Sequence, residues 1–229
     1  MKKKVVIVIV FSVLLVPLLI LNTVHQASAS VKVETNMTEI MKNIDIAAKN
    51  NPEAAMSSNP YDYTANNPYF DNIVDLGSVA LPAIRQKIKN SSNNGLEEYI
   101  LAIAAEKIAK VDLKDDQSLW TTAKEWVTQW DNHLKTVEHN VDKITSSADT
   151  DEEKTKQLVK LGTPAIPFIM DKIENGQIEA APALEILLTG NASVNDELGK
   201  ITNWQIWAKE NKDNFDDLRS LVEEANTNE

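Results

Sequence analysis

The chain of 229 residues contains no cysteine, which excludes disulfide bridges, a lipid-anchored cysteine and a thiol nucleophile. An exported domain of this size can bury a core without disulfides. Glycine is also scarce, with six residues, and the sequence has neither a phosphate-binding glycine loop nor a Gly-x-Ser-x-Gly motif. Few glycines together with abundant Ala, Ile, Leu, Lys and Glu favour a helical protein.

Basic residues are outnumbered, with 23 Lys and Arg against 34 Asp and Glu and a net charge of −11. Removal of residues 1–29 would take away three lysines and no acidic residue, which leaves 20 basic and 34 acidic residues and a net charge of −14. Such a charge argues against nucleic acid and anionic lipid as partners. It fits a protein that is soluble outside the cell, with cationic partners or divalent ions at most.

One long apolar run occurs, at residues 5–21. Lysines 2–4 precede it and Ala27-Ser28-Ala29 follows it, a pattern that predicts a secretory signal peptide, residues 1–29, cleaved after Ala29. The alternative is an uncleaved membrane anchor, because about 17 apolar residues approach the length that spans a bilayer. Pro17 interrupts the run, so we predict a secreted protein and expect membrane attachment only without cleavage.

Residues 30–65 are predicted to form an N-terminal helix followed by a capping loop. Residues 30–34 are expected to be loose. Apolar residues within 37–49 recur at helical spacing and predict a short amphipathic helix. Residues 50–67 are rich in Asn, Ser and Pro, which predicts a loop.

An internal repeat is the most informative feature of the sequence. Residues 73–88, IVDLGSVALPAIRQKI, align with 158–173, LVKLGTPAIPFIMDKI. After a gap of four residues the match continues, and Trp126 aligns with Trp207. The repeat predicts two blocks of about 80 residues, 66–144 and 151–229, joined by a polar linker and followed within the second block by a C-terminal helix.

Each block is predicted to contain four helices. Gly77 and Gly162 suit the positive φ that often follows a helix, and Ser78 and Thr163 are expected to cap the next helix. The tryptophans are assigned to the fourth helix of each block, and a last amphipathic helix is predicted at 213–224. The side chains expected to face inward on the second and third helices and on the last helix are Leu81, Ile84, Ile88, Leu96, Ile100, Ala104, Ile108, Ile166, Ile169, Met170, Ile173, Ile178, Ala181, Ala183, Ile186, Leu187, Phe215, Leu218, Leu221 and Val222.

The repeated spacing Leu-Gly-x-x-Ala-x-Pro-x-Ile, at 76–84 and 161–169, resembles bacterial HEAT-like repeats. This resemblance implies an all-α protein, a short α-solenoid of antiparallel helix pairs. The arginine usual early in the second helix of such repeats is absent. The segment SNPYDY at 58–63 is similar to segments in small exported proteins of unknown function from Gram-positive spore-formers, and that resemblance carries over no catalytic residue.

Two groups of aromatic residues are candidate binding residues. Tyr61, Tyr63 and Tyr69 could form a lip that stacks on a sugar or peptide, or they could belong to a cap on the end of the repeat, which is the favoured interpretation. The five tryptophans are interpreted mainly as core. Trp120 and Trp204 are the two tryptophans retained as binding candidates.

No catalytic, metal or cofactor site is predicted. His133 and His139 lie six residues apart, which places them on different helix faces, so they are interpreted as solvent-exposed polar residues. The acidic clusters at 112–116 and 149–153 lack the glycine of a calcium loop and suit helix starts.

We therefore predict an exported, non-enzymatic binding or scaffold module that uses a helical-repeat surface to contact a protein or a cell-envelope component. The alternative is a cell-wall or polysaccharide hydrolase with an Asp/Glu pair, although nothing in the sequence singles out a pair.

Overall fold

The computed structural model describes residues 27–50, 57, 59–114, 119–190 and 198–227. Within these residues every regular element is helical and none is a strand, which confirms the all-α class. The helices are α1 (27–50 in its described part), α2 (Pro68–Val74), α3 (Leu81–Asn90), α4 (Leu96–Ala109), α5 (Ala123–Thr145), α6 (Asp151–Lys160), α7 (Ile166–Glu174), α8 (Ala181–Leu188), α9 (Trp204–Asn211) and α10 (Asp216–Thr227). Short 3-10 turns connect several of them, at Pro60–Tyr63, Gly77–Ala80, Thr163–Ala165, Ile178–Ala180, Leu198–Lys200 and Lys212–Phe215.

The N-terminal helix α1 is longer than the sequence predicts. Residues 30–34, expected to be loose, are helical. Val33, Met37 and Ile40 are all buried in the core, and their spacing of four and three residues places them on one helix face. The amphipathic helix predicted at 37–49 is thus confirmed, but its predicted start is too late, because residue 27 is already helical and Ala29, four residues before Val33, is buried.

Most of the predicted signal peptide, residues 1–29, lies outside the described residues. Lysines 2–4 and the apolar run at 5–21 belong to that part, whereas the predicted cleavage motif at 27–29 lies in α1. Among the helices that the structure describes, none combines the length and the apolar character needed to cross a bilayer.

The two repeated glycines have the predicted conformation, with φ of +68° at Gly77 and +72° at Gly162. A 3-10 turn follows each glycine and leads into α3 or α7, both of which carry a proline in their first turn. The predicted capping by Ser78 and Thr163 is wrong, because this turn separates them from the helix start. Ser78 Oγ donates to Asp217 instead, and Thr163 Oγ1 is a buried hydroxyl with no partner among the described residues.

The repeat is also visible in matched helix caps. Thr122 starts α5, where its Oγ1 accepts a hydrogen bond from the backbone N–H of Glu125 (3.3 Å). Asn203, 81 positions later, starts α9, where its Oδ1 accepts from the N–H of Ile206 (3.0 Å). Both contacts satisfy one of the backbone donors left unpaired at a helix N-terminus.

A second matched contact closes the C-termini of α3 and α7. Lys124 Nζ donates to the carbonyl oxygens of Ile88 (2.5 Å) and Lys89 (3.1 Å). Gln205, the repeat counterpart of Lys124, donates from Nε2 to the carbonyl of Glu174 (2.9 Å), which is the counterpart of Lys89. Two different side chains therefore satisfy the same backbone acceptor in each repeat.

The long helix α5 has a broken counterpart in the second repeat. The alignment places Asn211 opposite Trp130, and the backbone departs from helix geometry at Asn211 (φ −111°, ψ 1°). The Nδ2 of Asn211 donates to the carbonyl of Trp207 (2.9 Å), a contact that often bends helices. A 3-10 turn and α10 follow, which confirms the predicted last helix with its start at Asp216. The buried residues of α5 still align with buried ones: Leu134 with Phe215, Val137 with Leu218 and Val141 with Val222.

Equivalent helices pack in equivalent pairs. In the first repeat α4 contacts α2 and α3, and α3 also contacts α5; in the second repeat α8 contacts α6 and α7, and α7 also contacts α9. Between the repeats, α5 packs against α6, α7 and α10.

Most predicted inward side chains are buried, but Ile178 and Ile186 are 48% and 49% exposed, which corrects that prediction. The reason is that Ile178 lies in a 3-10 turn and α8 buries Ala181, Leu184 and Leu188 instead, so Ile186 faces away from the core.

The start of the second repeat packs against the end of α4. A Cβ atom on Gly162 would lie 2.3 Å from the carbonyl oxygen of Ala109. At the same end of α4, Lys110 Nζ donates to the carbonyls of Leu187 (2.8 Å) and Thr189 (2.6 Å), the last ones of α8. The two repeats thus meet through close backbone contact and a helix-capping lysine.

Candidate functional site

The three candidate tyrosines divide into one exposed ring and two anchored rings. Tyr61 is 42% exposed and lies in the turn that Asn59 caps by accepting from its N–H (3.2 Å). The Tyr63 hydroxyl donates to the carbonyl of Ser57 (3.0 Å), and Tyr69 packs half-buried against the core. Tyr63 and Tyr69 therefore fit the capping interpretation, whereas Tyr61 presents a ring to solvent.

The tryptophans lie mainly in the core. Trp126 and Trp130 are fully buried and stack with ring centroids 5.6 Å apart, and Trp207 is 9% exposed, which confirms their predicted packing role. Trp204 is half-buried and meets the Trp207 ring edge-on. Trp120, predicted within the fourth helix, precedes α5 and is only 2% exposed, so its ring is not open to solvent.

Three aromatic rings surround the ammonium group of Lys114. Its Nζ lies 3.9 Å from the ring centroid of Trp120, 4.9 Å from that of Tyr99 and 5.2 Å from that of Tyr61. It also donates to the hydroxyls of Tyr99 (2.6 Å) and Tyr61 (3.2 Å). The Tyr99 and Trp120 centroids are 4.6 Å apart. We call these three rings, with the adjacent carboxylate of Glu106, the Lys114 cage.

Glu106 is bonded to the indole of the cage. Its Oε1 accepts from Trp120 Nε1 (2.8 Å) and from the backbone N–H of Leu113 (3.4 Å). Burial raises the pKa of Glu106, and the hydrogen bond from Trp120 and the positive charge of Lys114 oppose that rise only in part. The carboxylate thus adds negative charge beside the rings, which themselves present negative faces to a cation.

The Lys114 ammonium is well suited to this environment. Burial lowers the pKa of Lys114, but the hydrogen bonds to Tyr99 and Tyr61 outweigh burial, so the pKa is raised overall. The lysine is therefore held in its charged form. Attraction between the cation and the face of Trp120 adds to the hydrogen bonds to the two tyrosine hydroxyls, because aromatic quadrupoles bind cations most strongly where water is partly excluded.

Local structure explains how the cage is assembled. Tyr99 and Glu106 are seven residues apart on α4, which is close to two helical turns and puts both on one face. The helix ends at Lys110, whose φ is +53°. Beyond it, Asp112 Oδ1 accepts from the backbone N–H of Lys114 (2.9 Å), a local turn that directs the chain back toward α4.

Sequence reasoning missed Tyr99, Glu106 and Lys114, although the repeat contains a signal for two of them. The alignment that pairs Trp126 with Trp207 also pairs Tyr99 with Ala180 and Glu106 with Leu187. Both counterparts are 2% exposed core residues. The first repeat therefore carries a phenol and a carboxylate where the second carries apolar core, a departure that points to a role other than packing.

The two histidines of α5 lie in different surroundings. His133, predicted to be solvent-exposed, is half-buried: its Nε2 lies 3.0 Å from the carbonyl of Leu161 and its ring stacks on Trp130. This corrects the prediction, and the reason is that α5 packs against the end of α6 at this point. His139 is exposed as predicted. The described residues contain no group of three or more His, Cys, Asp or Glu arranged to hold a metal ion.

The two acidic clusters have structural roles where they are described. Residues 149–153 open α6, with Thr150 as N-cap accepting from the N–H of Glu153 (3.3 Å), as the helix-dipole interpretation predicts. In the other cluster Asp112 stabilises the turn before Lys114, and residues 115 and 116 lie outside the described residues.

An open groove of about 550 Å³ lies between α5 and α10 and contains both carboxylates and cationic groups. Asp142 in this groove is already paired with Lys172 (2.6 Å). The lining residues are Lys135, Glu138, His139, Asp142, Glu223, Asn226 and Thr227.

No family model, no curated protein and no solved structure matches this chain. Function must therefore be inferred from the geometry of the chain itself.

Proposed function

We propose that this protein is an exported, non-enzymatic binding module, built as a short HEAT-like solenoid of antiparallel helix pairs, which uses one end of its repeat to contact a protein or a cell-envelope component. The observation that carries the proposal is the Lys114 cage, formed by the first repeat and the turn before it. Rings there converge on one cation, and Tyr61 remains 42% exposed.

Matched caps and matched helix pairs support the solenoid. In repeat architectures each unit buries its apolar face against its neighbour, so equivalent side chains recur at equivalent helix ends. Thr122 and Asn203 behave in this way, as do Lys124 and Gln205. The close approach of Gly162 to α4 supports direct stacking of the second repeat on the first.

Rigid aromatic side chains support the binding role. Tyrosine and tryptophan provide large contact areas with little loss of conformational entropy, and they are frequent among the residues that dominate binding energy. The rings of the Lys114 cage come from the 60–63 turn, α4 and the segment before α5, so three separate parts of the fold hold them in place. Held in this way, the rings have little freedom left to lose on binding.

Export is part of the proposal. A mature chain beginning at Ser30 would lose the buried Ala29 but keep Val33, Met37 and Ile40, which pack in the core. Its charge of −14, from 20 basic and 34 acidic residues, suits a soluble protein with a cationic partner. The natural gene product should therefore be recovered from the culture medium, and mass spectrometry should find a chain that begins at Ser30. A full-length chain retained in the membrane fraction would contradict export.

Binding can be tested with protein secreted by the producing cell. Wild type and a Tyr61→Ala variant are immobilised and compared for capture of solubilised envelope components, with Ile206→Ala as a matched control because Ile206 is 54% exposed elsewhere on the surface. We expect one component to be captured by wild type and Ile206→Ala but lost by Tyr61→Ala. Equal capture by all three proteins, or release of reducing ends from cell-wall glycans by wild type, would contradict the proposed function.

A further inference from the structure

The geometry points to a ligand class for the Lys114 cage: we infer that the cage is a binding site for an alkylammonium cation carried by the partner, and that the Lys114 side chain occupies this site until the ligand displaces it. The inference deepens the proposed function and rests on it.

The shape and chemistry of the cage define this class. The Trp120 centroid lies 3.9 Å from the Lys114 Nζ, within the distance of about 6 Å at which cations are attracted to ring faces, whereas Tyr99 and Tyr61 meet the nitrogen mainly through their hydroxyls. Two phenol oxygens accept hydrogen bonds from the same nitrogen, and Glu106 adds a carboxylate nearby. A neutral or anionic group would gain neither the attraction of a cation to the Trp120 ring nor its charge attraction to Glu106. Both primary and quaternary alkylammonium groups gain them, the first through hydrogen bonds and the second through the rings.

The walls of the cage do not depend on Lys114. Trp120 belongs to the hydrophobic core and Tyr99 packs against it. Glu106 and Tyr99 are held on α4, and Trp120 is held by its hydrogen bond to Glu106. Lys114, by contrast, follows the helix on a turn and reaches the rings through a flexible four-carbon side chain. Withdrawal of this side chain would leave a ring-lined recess with the carboxylate beside it.

The repeat provides an independent argument. At the positions of Tyr99 and Glu106 the second repeat has Ala180 and Leu187, both buried. Tyr99 and Glu106 are themselves half-buried, and a partly desolvated carboxylate is unfavourable unless something compensates for its lost hydration. Packing alone does not require a phenol and a carboxylate at these positions, so we assign the aromatic and acidic residues of the first repeat to cation recognition.

The tethered lysine sets the expected affinity. A side chain attached to the protein competes at an effective concentration of about millimolar or more. A free cation should therefore bind wild type weakly, and removal of the lysine should strengthen binding at least about tenfold. The test titrates full-length wild type and Lys114→Ala with tetramethylammonium chloride and with methylammonium chloride, following the Trp120 Nε1–H signal by NMR against sodium chloride at equal ionic strength.

Matched variants make the result specific. Lys107→Ala is the control, because the Lys107 Nζ lies over a single ring, Phe70, at 5.3 Å from its centroid. Removal of this side chain opens no ring-lined recess, so it should not strengthen cation binding. Adding Tyr99→Leu to Lys114→Ala should abolish the gain. Tighter binding of tetramethylammonium would identify a quaternary ligand, and tighter binding of methylammonium a primary amine such as a protein lysine; both results support the inference.

A folded Lys114→Ala variant that binds neither cation saturably would overturn the inference, because Lys114 would then be a structural clamp. If Lys114→Ala does not fold, the wild-type titration decides: saturable movement of the Trp120 signal at high cation concentration supports the cage, and no movement refutes it. Because these titrations use defined cations, they can succeed or fail independently of the capture of an envelope partner.

Discussion

Replacement of Gly162 by alanine tests how the two repeats meet, and Gly77→Ala is its matched control. Both glycines have nearly the same φ, +72° and +68°, so both substitutions place an alanine in the left-handed region at a cost of about 1–2 kcal/mol. The surroundings differ. A Cβ at Gly77 meets nothing within 4 Å, whereas a Cβ at Gly162 would lie 2.3 Å from both Ala109 O and Val111 Cγ1.

That contact is far shorter than two atoms tolerate, and the oxygen is backbone, so the repeats must separate slightly. Overpacking of this kind costs about 1–3 kcal/mol. The ψ of −170° at Gly162 adds strain, because that combination of angles is essentially restricted to glycine. We therefore expect Gly162→Ala to reduce the free energy of unfolding by at least about 2 kcal/mol more than Gly77→Ala, or about 4–8 °C in Tm for a chain of this size.

Urea unfolding followed by far-UV circular dichroism measures the difference, with thermal melts as a second reading. Equal m-values for the two variants would show that the comparison concerns stability alone. Equal losses of stability for Gly77→Ala and Gly162→Ala would refute the reasoning, since the second repeat could not then be packed against the end of α4. A lower m-value for Gly162→Ala would show that the repeats have become separate unfolding units.

Three further predictions concern single contacts. Thr122→Ala and Asn203→Ala should each lower the free energy of unfolding by about 1 kcal/mol and add in the double variant, because equivalent caps in different repeats act independently; denaturant melts of the four proteins test this. Burial raises the pKa of Glu106, so wild type loses stability as pH rises above the ordinary glutamate pKa and the buried carboxylate ionises. Glu106→Gln cannot ionise and should therefore gain stability relative to wild type over this pH range. Melts of the two proteins that change in parallel across a pH series would contradict this. Arg85→Lys should lower the free energy of unfolding by about 1 kcal/mol, because lysine cannot reproduce the two hydrogen bonds from Arg85 Nε and Nη2 to the Asp131 carboxylate at 2.5 and 2.6 Å. Asp131→Asn, measured in the same denaturant melts, should give a similar loss.

Local features of this fold could be predicted from the sequence because their causes are local. The positive φ at Gly77 and Gly162 follows from the glycine after each helix, and the starts of α3 and α7 follow from their prolines. The inward faces of the helices follow from helical spacing. Predictions failed where neighbours decide the outcome: Ile186 faces solvent because α8 is short and buries its other face.

The candidate site was predictable only in part. Tyr61 and Trp120 are recognisable as aromatic residues worth testing, but nothing in their spacing shows that they meet around Lys114, which lies between them in sequence and is brought to them by the turn after α4. Convergence of a loop, a helix and a turn is a tertiary property. Trp204, the other tryptophan candidate, contacts Trp207 and takes no part in the cage.

Comparison of the two repeats separates stability from function in a way that neither repeat allows alone. Where a helix start must be capped or a terminal carbonyl must accept a hydrogen bond, both repeats use a side chain at the same position, even when the residue differs, as with Lys124 and Gln205. Where they differ in chemistry, as the half-buried Glu106 and the buried Leu187 do, packing alone does not explain the polar residue, because an apolar residue occupies the equivalent position in the second repeat. The cost of partly desolvating the Glu106 carboxylate is offset only in part by the hydrogen bond from Trp120 and the charge of Lys114, and the remaining cost appears as the raised pKa of Glu106. A residue kept at such a cost at only one of two equivalent positions is what the proposed role in cation binding would explain.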